Sequence, residues 1–243
     1  MLPTYLECSR DAEHRFDAAQ LATTCPHEGA PLLVRYPPIA IDRAALTARV
    51  RSMWRYHEAL PIACDETPVS LGEGATPLVP ARRIANDLHS DVEILVKDES
   101  RNPTASFKSR GMSAAVTVAV RNGATALVAP SAGNAGGALA AYGARAGVPV
   151  TVFLPRDTPA ILIEECRTYG ARVELVDGLI DDAGRFAAAY AKETGAFNVA
   201  TLREPYRIEG KKTMAYEIVE ELGGVPAAIS ARTATRKPSK SSG

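Results

Sequence analysis

Lys108 stands in Asn102-Pro-Thr-Ala-Ser-Phe-Lys-Ser-Arg-Gly111. Asn102-Pro103 marks a turn, and the Ser106 hydroxyl can cap a helix that opens there. Lys108 then falls in the first helical turn, where its ammonium opposes the helix dipole. A lysine with a depressed pKa holds a neutral amine that can attack a carbonyl and form a Schiff base. Position alone leaves a second reading open, because most lysines are solvated surface charges.

A second segment, Ser131-Ala-Gly-Asn-Ala-Gly-Gly137, joins the apolar run Thr125–Pro130 to an Ala-rich stretch. Glycines at a strand-to-helix turn let backbone N–H groups approach an anion, and the helix N-terminus favours negative charge. The spacing is neither the dinucleotide fingerprint G-x-G-x-x-G nor the nucleoside-triphosphate loop. The competing reading is a tight, packed turn.

The elements that must position these segments follow a regular pattern from residue 93. Strands are predicted at Glu93–Lys97, Thr125–Pro130, Val148–Leu154, Arg172–Val176 and Phe197–Thr201. Helices are predicted at Ser106–Asn122, Asn134–Arg145, Pro159–Tyr169, Asp181–Thr194 and Ile208–Leu222, most of them stopped by glycine. This alternation means βαβ units around a parallel sheet flanked by helices, an α/β fold. Ligands in such sheets bind beyond the carboxyl ends of the strands, which directs attention to the loops after Lys97, Pro130, Pro155 and Thr201. Upstream, Thr4–Arg35 shows no clear period, and Arg43–Ala59 reads as one helix ahead of Pro61.

Lys plus Arg balances Asp plus Glu, 28 against 28, in 243 residues of which 46% are hydrophobic. A neutral balance gives no electrostatic reason to expect nucleic acid. No apolar run reaches the length of a membrane span, and the polar first residues hold four acids, so neither a membrane nor a targeting peptide is expected and the location is read as cytoplasmic. Cys8, Cys25, Cys64 and Cys166 are too scattered for a disulfide framework, and Cys166 reads as a buried small hydrophobe.

Leu71-Gly-Glu-Gly-Ala-Thr-Pro-Leu78, the Lys108 segment and Ser131–Gly137 occur in an order and spacing that resemble fold-type II pyridoxal-phosphate (PLP) enzymes, the tryptophan synthase β-like group. Glu209-Gly-Lys-Lys-Thr213 adds a weaker match, and LGEGATPL with NPTASFKSRG resembles the threonine synthase family in particular. The resemblance implies a PLP-dependent carbon–oxygen lyase that converts O-phospho-L-homoserine and water to L-threonine and phosphate. The alternatives it leaves are a threonine or diaminopropionate ammonia-lyase, or a fragment without catalysis. It implies that Lys108 carries PLP and shuttles protons, that Ser106 and Phe107 shape the pocket, and that Asn134 bonds the 3′-oxygen of the ring. Ser131, Ala132, Gly133 and Ala135 would bind the substrate carboxylate through backbone N–H groups. Glu73 and Thr76 would form either a wall of the site or a structural turn. The implied partners are a small amino-acid substrate and a second copy in a homodimer.

The sequence also departs from that family. Ala231-Arg-Thr-Ala-Thr235 stands where relatives carry a Gly-rich loop for the cofactor phosphate, so the large domain is expected to be incomplete and the chain truncated or frame-shifted. The expected organisation is a degenerate zinc-ribbon-like segment over 1–35, a helical linker over 36–66, a PLP-enzyme core over 67–225 with a smaller βαβ domain over 105–200, and a disordered basic tail over 226–243. Cys8-Ser-Arg-Asp11 and Cys25-Pro-His-Glu28 keep one Cys of each zinc-ribbon pair. With His27 they make three ligands at most, and a metal-free remnant is expected.

Overall fold

The computed structural model describes residues 3–230 apart from 64 and 90. The expected disordered tail therefore lies outside the described residues from 231 onward. Residues 225–230 are irregular and largely exposed.

Four parallel strands make the main sheet: β6 (Leu127–Pro130), β7 (Val150–Pro155), β8 (Arg172–Val176) and β9 (Phe197–Asn198), in the order β8-β7-β6-β9. Alternate residues face opposite ways, as a pleated strand requires. Leu127, Ala129, Val152 and Leu154 join one core with α4 (Asn134–Ala146) and α5 (Ala160–Thr168). Val128, Phe153 and Val176 join a second core under Ala183 and Ala187 of α6 (Ile180–Thr194). Helices thus cover both faces, and the central strand β7 is buried along its whole length as that demands. Strand β9 is shorter than expected because Asn198 Oδ1 captures the Ala200 N–H at 3.0 Å, turning the backbone out of the ladder.

The first described residues build a separate antiparallel sheet of β1 (Tyr5–Cys8), β2 (Arg15–Phe16) and β3 (Leu32–Arg35), in the order β2-β1-β3. The helix expected over Arg43–Ala59 is broken. Its start is α1 (Arg43–Leu46), and a 3-10 segment follows at Met53–Ala59. Thr47 Oγ1 donates to the Ala44 carbonyl at 2.7 Å, and Ser52 Oγ accepts from Trp54 N at 3.2 Å. These local bonds compete with a continuous helix. The strand expected over Glu93–Lys97 exists as β5 (Leu95–Lys97), but it pairs antiparallel with β4 (Leu78–Pro80) and α2 (Arg82–Asp87) lies between the two. It is not part of the parallel sheet.

Two long helices, α3 (Lys108–Arg121) and α7 (Tyr206–Leu222), cross at close range. A Cβ on Gly111 would lie 2.8 Å from the Arg207 carbonyl oxygen, and one on Gly210 only 1.9 Å from that of Arg110. Each glycine therefore admits the other helix's backbone, and neither obstacle can rotate away. Gly210→Ala is expected to force the helices apart and lower stability by about 1–3 kcal/mol, read as a lower urea midpoint with an unchanged slope.

Candidate active site

Lys108 is the first residue of α3. Its backbone N–H donates to Ser106 Oγ at 3.3 Å, so Ser106 does cap this helix, one residue before the geometric boundary. The side chain is half-buried, with Nζ 4.5 Å from the centroid of the Phe107 ring. Burial holds its pKa below the ordinary lysine value, and the positive charge of Arg207 adds to that. A neutral amine is therefore more accessible here than on a solvated lysine.

Ser131 follows β6 and is 3% exposed. Its Oγ accepts from Gly133 N at 3.2 Å and Gly136 N at 2.9 Å, and donates to the Gly133 carbonyl at 2.7 Å. The hydroxyl thus shapes the turn from inside. A Cβ on Gly136 would sit 3.0 Å from both Cys166 Sγ and Val152 Cγ1, so the helix must be bare there to reach the sheet. Cys166 itself is 1% exposed and its thiol is pushed up to about 11 by burial, as suits a packing residue. Ala132 and Asn134 remain exposed at the mouth of the turn.

All eight residues expected at the site, Ser106, Phe107, Lys108 and the run Ser131–Ala135, line one open cleft of about 1490 Å³. The loops after β5, β6, β7 and β9 contribute to it through Glu99, Ser131, Pro159 and Thr201. The cleft therefore lies at the carboxyl ends of the strands, where open α/β sheets bind ligands.

The residues that sequence reasoning missed come from α7. Arg207 is 3% exposed, bonds the Val199 carbonyl through one terminal nitrogen at 2.9 Å, and has a buried Nε with no hydrogen-bond partner. Lys211 Nζ lies 5.8 Å from the same Phe107 ring that Lys108 covers. Its pKa is lowered to about 8 by burial, then by the charges of Arg207 and Lys108. Glu204 faces this group with both oxygens engaged by the Tyr206 and Arg207 backbone N–H groups, and burial raises its carboxyl to about 7. Arg207 and Lys211 thus share one compromised carboxylate, beside the ring that Lys108 also covers. The weak Glu209-Gly-Lys-Lys-Thr213 match was the one sequence signal that pointed here.

Lys211 binds fewer protons folded than unfolded between about 8 and the free value of 10.5. Stability should therefore rise with pH through that window. Lys211→Met is expected to be more stable than the parent near neutral pH, with the difference vanishing above the free lysine value. Urea midpoints measured across that range check the sign.

The Leu71–Leu78 segment supports the site from outside. Glu73 is fully buried and its carboxylate accepts from Trp54 Nε1 at 2.8 Å, Ser113 Oγ at 2.6 Å, Tyr142 OH at 2.5 Å and Leu71 N at 2.9 Å. Thr76 Oγ1 donates to Glu99 at 2.6 Å. Neither Glu73 nor Thr76 lines the cleft, so of the two readings of this segment the structural turn fits.

A family model described as pyridoxal-phosphate dependent enzyme matches residues 69–235, more than half of the chain. The chain belongs to this family. Threonine synthase of Methanosarcina acetivorans is 37% identical over 188 residues, covering 77% of this chain and 45% of that protein. Threonine synthase of Methanocaldococcus jannaschii is 35% identical over 226 residues, covering 91% and 54%. The chain thus spans about half the length of the curated relatives it matches. Diaminopropionate ammonia lyase from Escherichia coli has the same fold at a TM-score of 0.57 and 23% identity, over 63% of this chain and 49% of that one. The fold is fold-type II, and pyridoxal phosphate is the family's cofactor. Among the described residues, no helix is long and apolar enough to cross a membrane.

The residues present suit that cofactor. An amine of lowered pKa that lines the cleft can capture its aldehyde. The segment 231–235, where the resemblance places the loop for the cofactor phosphate, lies outside the described residues.

Proposed function

We propose that this protein is a threonine synthase-type carbon–oxygen lyase, taking O-phospho-L-homoserine and water to L-threonine and phosphate. Lys108 would hold PLP covalently, Phe107 would pack beside it, and Asn134 would bond the 3′-oxygen of its ring. Bound there, the cofactor supplies an electron sink for the pair left when a substrate C–H bond breaks. Backbone N–H groups of Ser131–Ala135, at the N-terminus of α4, would bind the substrate carboxylate. Ser106 would limit the pocket beside Lys108. Once freed by the incoming amino acid, the Lys108 amine would carry protons between substrate carbons, and its depressed pKa keeps it able to do so near neutrality.

The observation that carries this reading is that Lys108 and the Ser131–Ala135 turn line one cleft, with a second amine, Lys211, over the same Phe107 ring as Lys108. A second amine beside that ring suits a phosphoester substrate and a phosphate product. An ammonia-lyase, whose substrate loses a neutral group or an amine, has less use for it, although the fold is compatible with that reaction.

The test incubates the full chain with PLP and follows phosphate and threonine from O-phospho-L-homoserine, beside ammonia release from threonine and from diaminopropionate. Phosphate and threonine in equal amounts support the proposal. Ammonia release with no phosphate would transfer the assignment to the ammonia-lyases, and no product from any substrate would leave a fragment without catalysis.

A further inference from the structure

The small N-terminal sheet gathers three metal-binding side chains that the cleft does not use. Cys8 ends β1, His14 stands just before β2, and Cys25 lies in the turn before β3. Both thiols are free and buried, at 2% and 1% exposure. Cys25 Sγ lies 3.8 Å from His14 Nδ1. The two sulfurs and a His14 ring nitrogen all fall within 4.8 Å of one another. Around a tetrahedral zinc ion, bonds of about 2.3 Å to sulfur and about 2.0 Å to nitrogen place the ligand atoms about 3.5–3.8 Å apart. The three groups are therefore within roughly 1 Å of a zinc coordination edge before any ion is added.

A further observation separates this cluster from ordinary packing. His27 stacks on His14 with ring centroids 4.4 Å apart, which holds the first imidazole against the sulfurs. Spacing alone had joined His27 to Cys8 and Cys25 and led to the expectation of no metal. Folding instead brings His14 into that place, because β1 and β2 are antiparallel neighbours and the turn between them returns residue 14 to Cys8: Cys8 N bonds the His14 carbonyl at 3.0 Å.

We propose that Cys8, His14 and Cys25 bind one zinc ion, with the fourth position open to water beside His27. Binding would release the two thiol protons and change no oxidation state. Two thiolates and an imidazole are a donor set suited to zinc rather than to magnesium or calcium. The ion would pin the loop that carries Thr23 and Thr24, and these two residues line the cleft. The site thus ties the small sheet to one edge of the candidate active site, without depending on what the active site does.

The test uses the full chain without a histidine tag, loaded with zinc, desalted and measured for bound metal, and in parallel loaded with cobalt. About one zinc per chain is expected, with thiolate-to-cobalt charge-transfer absorption and the strong visible bands of four-coordinate cobalt. Cys25→Ser should abolish both. His14→Ala, at a half-exposed position that should leave the fold intact, should weaken zinc at least ~10-fold. His27→Ala should leave the stoichiometry unchanged. Metal content far below one per chain, weak octahedral cobalt bands, or binding unchanged in both Cys25→Ser and His14→Ala would each overturn the proposal.

Discussion

Lys108→Ala should abolish covalent capture of PLP and lower the proposed lyase activity by at least about 10³-fold, because it removes both the carrier and the proton-transferring amine. The fold should survive the change. Lys108 is a half-buried first residue of α3, its amine lies over the Phe107 ring, and alanine is the better helix former. Borohydride reduction of the PLP-treated chain followed by peptide mass spectrometry should locate a pyridoxyl group on Lys108 in the parent and on no lysine in the variant. The neighbouring Lys211 makes this a demanding test. Its amine lies near the same ring, and burial lowers its pKa to about 8, so it is a chemically credible rival. A label found on Lys211 in the parent would remove Lys108 from the assignment. Partial recovery of the variant by added small amines would show that the missing group is the amine itself.

The rivalry shows what a linear sequence leaves hidden. Lys108 and the Ser131–Asn134 turn were legible because each sits at a junction where local rules speak: a cap before a helix, glycines after a strand. The helix α4 and its stop at Gly147, with φ of 71°, follow from the same rules. Arg207 and Lys211 lie about 100 residues from Lys108, and they reach it because α7 crosses α3 through Gly111 and Gly210. That crossing depends on two missing side chains, one on each helix, which no periodicity reports. Glu73 presented the opposite difficulty. Its motif was visible, but a buried acid in a loop is compatible with a catalytic wall or a structural tie, and only its four hydrogen-bond donors decide for the tie. The short strands of the N-terminal sheet went unread because two to four residues are too few to show an alternation.

Arg110, two residues beyond Lys108, is the position where a single change should cost the fold most. Its side chain is fully buried. The guanidinium binds Glu99 through two bonds of 2.7 and 2.8 Å, and Glu217 through two of 2.6 and 2.8 Å. It also donates to Thr76 at 3.1 Å and Thr213 at 3.0 Å. One side chain thus joins the Leu71–Leu78 segment, the loop that enters the cleft at Glu99, α3 and α7. Arg110→Leu keeps much of the volume but leaves two carboxylates in place without their main counter-charge, and Lys97, 2.8 Å from Glu217, can answer only one of them. Removing one partner of a buried ion pair costs about 3–5 kcal/mol, so the variant should unfold at a clearly lower urea concentration. The pH dependence tells a charge effect from lost packing. Burial alone would raise the Glu217 pKa, but Arg110 and Lys97 together hold it below the free value of 4.5. In the parent, that carboxylate's contribution is present above the free value and is lost as pH falls through the lower folded one. In Arg110→Leu the folded pKa should instead rise, so protonation relieves the unpaired charge and the deficit should shrink as the solution is acidified. A deficit that stays constant from neutral pH down to the carboxylate range would mean that the guanidinium matters for its packing rather than for its charge.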